Sequence, residues 1–463
     1  MAKPLIGRTV RRLRAERGLT QQGLAARLGI SASYLNLIEH DQRAVTAAVL
    51  IKLSAVLGVD VAALSGNSER ALETGLREVF AEPGLGLAEI PEDEITALAG
   101  SAPNTSRAVL ALYRAWRVAR EDSAGLALPS GRRMMLPIEE ARDFFHDRAN
   151  HFAQIETLTE ALGQELGAQP AEMNHAIAER LRQKHGVRVA VGPLEGALRR
   201  YDPGSRMLAL SETLPRESRG FQMAFQLLLL EARDAVEAEV APAAPSTPEA
   251  AALIRVGVLN YAAAALLMPY AQFLAAARAL RHDVDGLAAR FGTSFEQAAQ
   301  RLSTLQREGA RGVPFFFVRV DLAGNVGKRF SAAGFPFARF GGSCPKWVTH
   351  HAFTTPGMMR VQHAELPDGA RFLCFARTVH GRAVHWAEPP PVQVIAMGCD
   401  AAHAAEIIYA DGTDMKHPPV GIGLSCRLCD RLDCRSRAFP PLEHRLTLDP
   451  NEDTASPWRF EKG

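Results

Sequence analysis

Apolar residues recur at helical spacing through the first sixty positions. Ile6, Val10 and Leu13, then Leu24, Ala25 and Leu28, predict two short helices within Leu5 to Leu64. Thr20 is an N-cap for the second, and Gly29 permits the sharp turn that follows. Ser31 caps a third helix that runs to His40. At about 100° per residue, Leu35 and Ile38 share one side of it, and Ser33, Asn36, Leu37 and His40 share the other. A basic first helix, a tight turn and a short helix with small polar residues outward form a helix-turn-helix pattern.

From Asn67 to about Arg133, helical stretches are separated by Pro83-Gly84, Pro91, Pro103 and Pro129. Ala108 to Arg120 alternates apolar and arginine residues, which predicts a connector with a dimerising helix. Pro137 to Leu166 reads as one long helical run and Met173 to Lys184 as a shorter one, with strands at Val187 to Val191 and Met207 to Leu210. Two apolar helices, Gly220 to Val240 and Leu253 to Ala279, flank a linker from Pro242 to Pro248. The last third turns to strands at Phe315 to Val320, Arg371 to Thr378, Val384 to Trp386 and Val392 to Ala396, with one helix near Ala401 to Ala410.

Composition narrows the class. The chain has 463 residues, 47% hydrophobic and 22% charged, which excludes a disordered chain, a fibre or a small disulfide scaffold and suits two to four globular domains. Its net charge of +2 points to no polyanionic partner, but Met1 to Gly66 holds nine Lys or Arg against four Asp or Glu. A basic head on a mildly acidic body suggests an anionic partner for the head alone. Arginines from Arg8 onward interrupt any signal core, and Asn260, Pro269 and Gln272 break the apolar stretch from Val256 to Ala277, so a buried helix pair is expected there rather than a membrane span. A cytoplasmic location follows from this reading.

The head residues Thr20-Gln21-Gln22-Gly23-Leu24-Ala25 and Ser31-Ala32-Ser33-Tyr34-Leu35-Asn36-Leu37-Ile38-Glu39 resemble the phage-repressor-like (XRE) DNA-binding domain. In that arrangement Asn36 and Ser33 would bond base edges from the major groove and Leu37 would touch a thymine methyl. Gln21, Ser31, Tyr34 and Arg43 complete the expected DNA-binding set, and Glu39 is expected to pair with an arginine of the first helix. The rival reading is a protein-binding helical module with a solvated polar face.

Arg219 to Leu229 resembles the helix that carries His-Glu-x-x-His in the ImmA/IrrE zinc peptidases, where two imidazoles one turn apart hold zinc and a carboxylate polarises its water. Phe225, Gln226 and Leu229 stand at those three positions, and Val256, Gly257, Val258 and Leu259 stand where an acidic ligand is expected before Asn260. A folded but catalytically dead peptidase domain is implied, and no enzyme activity. Its cleft is either a filled core or a small-molecule pocket lined by Phe225, Leu229, Val256 and Tyr261, with Arg199, Arg200 and Arg206 available to an anionic ligand.

Cys426-x2-Cys429-x4-Cys434 puts three thiols on one short loop, a spacing suited to zinc or an iron-sulfur cluster. Cys399 is the preferred fourth ligand, ahead of Cys344 or His444, and Cys374 is expected to be plain core. Reduced thiols without metal are the rival. Together with Gly341 to Trp347 and Gly421 to Pro441, these three parts resemble the short-chain fatty acyl-CoA regulator family over essentially the whole chain. That resemblance implies a bacterial transcriptional regulator, dimeric or tetrameric, that binds operator DNA and senses a short-chain acyl-CoA. The alternatives are a DNA-binding redox or iron-sulfur sensor and a zinc peptidase acting on a partner repressor. The expected architecture is multidomain: an all-α head (1–66), a helical connector (67–166), an α+β degenerate peptidase-like middle (167–308) and an α+β strand-rich C-terminal domain (309–463).

Overall fold

The computed structural model describes residues 7–40, 42–43, 45–58, 67–82, 85, 87–88, 90–123, 137–170, 172–337, 343–381, 386–387, 389–441, 446–447, 456 and 458–460. The expected ligand His444, the glycines Gly341 and Gly342, and most of the expected strand Val384 to Trp386 lie outside them.

The head is built from α1 (Gly7–Glu16), α2 (Gln21–Leu28), α3 (Ala32–Glu39) and α4 (Ala47–Leu57) around Val10, Leu13, Leu24, Leu28, Leu35, Leu53 and Leu57. Thr20 Oγ1 accepts from Gly23 N, and Ser31 Oγ accepts from Tyr34 N at 3.1 Å, so both helices start where their caps predict. Gly29 ends α2 at φ 68°, a left-handed conformation that costs a glycine little.

The connector forms α5 (Asn67–Phe80), α6 (Glu92–Ser101) and α7 (Pro103–Ser123). Leu110 and Tyr113 of α7 are buried in a core with Leu72, Leu76, Val79 and Ile95, so this part of the expected dimerising helix packs within its own chain.

The expected run from Pro137 to Leu166 is two helices, α8 (Pro137–Asp147) and α9 (Ala153–Leu166). Ala149 and Asn150 adopt φ 48° and 56° between them, a backbone turn without a glycine to announce it. After α10 (Met173–His185), the strands β1 (Arg188–Gly192), β2 (Arg199–Asp202) and β3 (Met207–Ser211) form a sheet of order β1-β3-β2, with β2 antiparallel to β3 at the edge. The two expected apolar helices are four: α11 (Arg216–Glu231), α12 (Arg233–Val240), α13 (Pro248–Leu267) and α14 (Tyr270–Ala279). Pro269, which cannot continue α13, sits at the N-cap of α14.

Helix α13 is apolar and long enough to cross a membrane by length and composition. It packs instead against α8, α9, α11 and α12, burying Ile254, Val258, Leu259, Tyr261 and Leu266. Gly257 allows the closest approach, because a Cβ there would lie 2.5 Å from the Phe145 ring of α8.

Helices α15 (Val284–Phe291) and α16 (Phe295–Leu302) lead into a six-stranded sheet of order β5-β4-β8-β7-β6-β9. Its strands are β4 (Phe316–Asp321), β5 (Val326–Ser331), β6 (Arg360–Glu365), β7 (Arg371–His380), β8 (Val392–Asp400) and β9 (Val420–Gly421), and the expected helix near Ala401 is a pair of 3-10 turns. Alternation splits the sheet into two apolar faces. Phe317, Leu373, Phe375, Ile395, Met397 and Cys399 pack with α14 to α16, while Phe316, Val318, Phe372, Cys374 and Val394 pack with Phe335, Trp347 and Cys344. One core therefore joins helices of the middle region to the C-terminal sheet.

Candidate functional site

In the head, Ser33 and Asn36 are exposed on α3, Leu37 is partly exposed, and Leu35 and Ile38 are buried beneath them. Arg14 of α1 donates to both oxygens of Glu39, at 2.6 and 3.0 Å, and Glu39 is buried. Gln21 Nε2 donates to Glu39 Oε2 at 3.0 Å and Asn36 Oδ1 at 3.2 Å. The reading helix is thus clamped from behind before any DNA arrives. Its exposed Asn36 already accepts one hydrogen bond at Oδ1. Arg43 lies 6.0 Å from the Tyr34 ring, beside the same surface.

The structure separates the residues assigned to the pocket. Phe225 and Gln226 are buried on α11, while Leu229 and Val256 are 39% and 47% exposed on the packed pair α11 and α13, so these two apolar side chains stay open to solvent. Arg199, on edge strand β2, lies over the Phe225 ring at 4.1 Å and donates to Gln226 Oε1 at 3.2 Å. Burial pulls the Arg199 pKa down, and among the described residues no carboxylate pairs with it.

Tyr261 does not line this cleft. It is 3% exposed, on the core side of α13, and its hydroxyl donates to Glu156 Oε1 at 2.5 Å. Glu156 in turn holds Arg301 at 2.6 and 2.9 Å, with both side chains fully buried, and Arg301 also donates to Met268 O at 3.0 Å. Burial alone would raise the Glu156 pKa, but Arg301 outweighs it and the carboxyl is held below its ordinary range. The expected arginine cluster is likewise dispersed. Arg200, next along β2, is exposed and alternates away from Arg199, and Arg206 sits at the β2–β3 turn with φ 50°, donating to His185 O.

A cavity of about 80 Å³ lies between α8 and β5, with Arg142, His146 and Arg329 beside Phe145, Phe330 and Phe335. Arg329 meets Glu139 at 3.1 Å, and Lys328 donates to Gln300, its pKa lowered by burial to about 8. Both cations are in β5. No periodicity could have found the cavity, because it depends on α8 docking onto a strand some 180 residues away in the chain.

The tail cysteines are also rearranged. Cys399 pairs with Leu373 in the sheet and faces the helix side, and its thiol is pushed up by burial in the apolar core. Cys344 is on the opposite face, where Cys426 and Cys429 act on it electrostatically, so Cys344 and not Cys399 is the thiol beside the tail loop. Arg437, 3% exposed, shapes that loop by donating to the carbonyls of Cys426, Cys429 and Arg431 at 2.6, 2.7 and 2.8 Å. Among the described residues, no three His, Cys, Asp or Glu side chains stand together closely enough to hold a metal ion, so the thiols as placed do not fit a zinc or iron-sulfur centre. Cys374 is core as expected, its pKa raised by burial to about 12.

Comparison with known proteins agrees with this layout. Family models match residues 10–64 as a helix-turn-helix, 182–303 as an IrrE N-terminal-like domain and 304–458 as the C-terminal part of a short-chain fatty acyl coenzyme A regulator. The chain is 39% identical over 470 residues to the HTH-type transcriptional regulator RamB of Mycobacterium tuberculosis, covering 99% of both chains. It is 40% identical over 458 residues to the propionyl-CoA carboxylase regulator of Cereibacter sphaeroides, covering 98% of both. A solved Mycobacterium tuberculosis transcriptional regulator superposes with a TM-score of 0.68 at 39% identity, covering 70% of this chain and 99% of that one. With relatives matching it from end to end and each of its three parts recognised, the chain belongs to the short-chain fatty acyl-CoA regulator family of helix-turn-helix transcriptional regulators.

Proposed function

We propose that this regulator binds a short-chain acyl-CoA in the vacated peptidase cleft between α11 and α13 and couples that binding to operator recognition by α3. The observation that carries the reading is Arg199 over the Phe225 ring, on a packed helix pair that leaves the apolar side chains Leu229 and Val256 open to solvent; among the described residues no carboxylate pairs with Arg199. The acyl end of such a thioester brings a few methylenes, and an apolar lining matches that chemistry. Each methylene is worth about 0.8 kcal/mol, which makes neighbouring chain lengths differ only a few-fold in affinity.

We read the middle domain as acting by binding and not by catalysis. Phe225, Gln226 and Leu229 offer neither imidazole nor carboxylate to hold zinc or activate water, which removes the support for a peptidase. A symmetric oligomer in the cytoplasm completes the proposal, because one short head buries too little surface for tight specific binding and two heads a helical turn apart supply it. A metal centre at Cys426, Cys429 and Cys434 has no part in it.

Calorimetric titration with free coenzyme A, acetyl-CoA, propionyl-CoA and butyryl-CoA tests the site. Val256→Asp is the suitable variant, since Val256 is already exposed and the change leaves the core intact. Micromolar binding lost in Val256→Asp supports the cleft; binding that Val256→Asp leaves unchanged moves the ligand elsewhere.

A further inference from the structure

Where β2 meets α11, two adjacent polar groups are left incomplete by the fold. Gln226 occupies the position where the peptidases carry their catalytic carboxylate, and it is 1% exposed. Its Oε1 accepts from Arg199, but its Nε2 is buried with no acceptor among the described residues. A buried amide donor left unpaired costs about 1–3 kcal/mol. Arg199 is the complementary anomaly. Its guanidinium is partly buried on the Phe225 face and donates to Gln226, and among the described residues no Asp or Glu forms an ion pair with it. Elsewhere in the same domain buried or half-buried arginines are matched: Arg180 with Glu231, Arg301 with Glu156 and Arg307 with Glu160. Both groups are donors, and they are adjacent beside the apolar Phe225 ring.

From this pairing we infer that Arg199 and Gln226 form a carboxylate subsite, and that the effector bound best is an acyl-CoA whose acyl group ends in a free carboxylate. The inference rests on the acyl-CoA reading of the cleft given above. One formal positive charge and one neutral amide suit a monoanion with two acceptor oxygens: the guanidinium supplies the charge and the amide supplies the second donor. A phosphate dianion would be half neutralised there and would have to leave water to reach a buried amide. The side chain that abolished the peptidase's base therefore supplies a donor aimed at an acid. The bound state would satisfy both orphaned groups at once, whereas a plain alkyl acyl group would leave both unmatched.

The test compares methylmalonyl-CoA and malonyl-CoA with propionyl-CoA, acetyl-CoA and free coenzyme A by calorimetry on the full chain. Arg199→Gln and Gln226→Leu are the variants, with circular dichroism to show that each is folded. The expected result is at least tenfold tighter binding of the carboxylated thioesters by the unmodified protein. That preference should shrink to less than threefold in Arg199→Gln and fall in Gln226→Leu, with propionyl-CoA affinity little changed. Equal affinity for methylmalonyl-CoA and propionyl-CoA overturns the subsite but leaves the cleft standing. A uniform loss in Arg199→Gln that includes free coenzyme A assigns the arginine to a phosphate and overturns it too. If no thioester binds below millimolar concentration, the cleft reading and the subsite fall together.

Discussion

The buried pair Glu156–Arg301 permits the sharpest test of the fold that presents the cleft. Glu156 is on α9, Arg301 on α16, and Arg301 also bonds Met268 O at the end of α13, so one guanidinium ties three elements. Both side chains are fully buried, which sets the magnitude. Removing either partner leaves an uncompensated charge in the core, at a cost of about 3–5 kcal/mol, whereas exchanging both for apolar groups is close to neutral. Glu156→Gln keeps the shape and removes only the charge. It should lower stability by about 3–5 kcal/mol and the melting temperature by on the order of 10 °C, taking roughly 2–4 °C per kcal/mol for a unit of this size. Arg301→Met should behave alike, and Glu156→Leu with Arg301→Met should recover most of the loss. Urea unfolding followed by circular dichroism measures all four chains. A cost below about 1 kcal/mol for Glu156→Gln would refute the argument that this charge is buried and paired.

Three further outcomes follow from particular contacts. Tyr261→Phe removes a hydroxyl donated to a carboxylate and should cost about 1.5–3 kcal/mol of stability without changing acyl-CoA affinity; a selective loss of affinity would return Tyr261 to the pocket. Asn36→Ala should weaken operator binding far more than random-DNA binding in fluorescence anisotropy, and equal losses would reject Asn36 as a base reader. Glu231 would have its pKa raised by its burial, but Arg180, His185 and Lys184 hold it down to about 2. A folded pKa below the ordinary 4.5 means stability present above pH 4.5 and lost as pH falls towards 2, so Glu231→Gln should flatten that part of the stability–pH curve.

What could be read beforehand was local or repeated many times. Thr20, Ser31 and Gly29 act within three residues of themselves, so the helix-turn-helix was legible from caps and spacing. Strands β4, β7 and β8 are buried on both faces and read as apolar runs. Strands β5 and β6 lie towards the sheet's margins, carry charged residues such as Lys328, Arg329 and Arg360, and gave no such run. Side-chain direction was the harder matter. Tyr261 and Val256 share α13, yet five residues at about 100° each turn Tyr261 towards Glu156. Cys399 faces away from the tail loop because β8 pairs with β7 in a register that sets Cys399 opposite Leu373, and nothing local specifies that register. Arg199 was named with Arg200 and Arg206 as one basic cluster, but strand alternation and the turn at Arg206 leave it alone over Phe225.

Ligand-controlled DNA binding is the centre of the account, and one measurement addresses it directly. Operator affinity of the full chain is titrated by fluorescence anisotropy with saturating propionyl-CoA, with saturating free coenzyme A and with neither, at one fixed salt concentration. If the cleft and α3 are coupled, propionyl-CoA shifts operator affinity by about 5–150-fold, the range of an allosteric coupling of 1–3 kcal/mol, and Val256→Asp abolishes the shift while leaving unliganded binding intact. Identical operator affinity in all three conditions, with calorimetry showing the thioester bound, would contradict it.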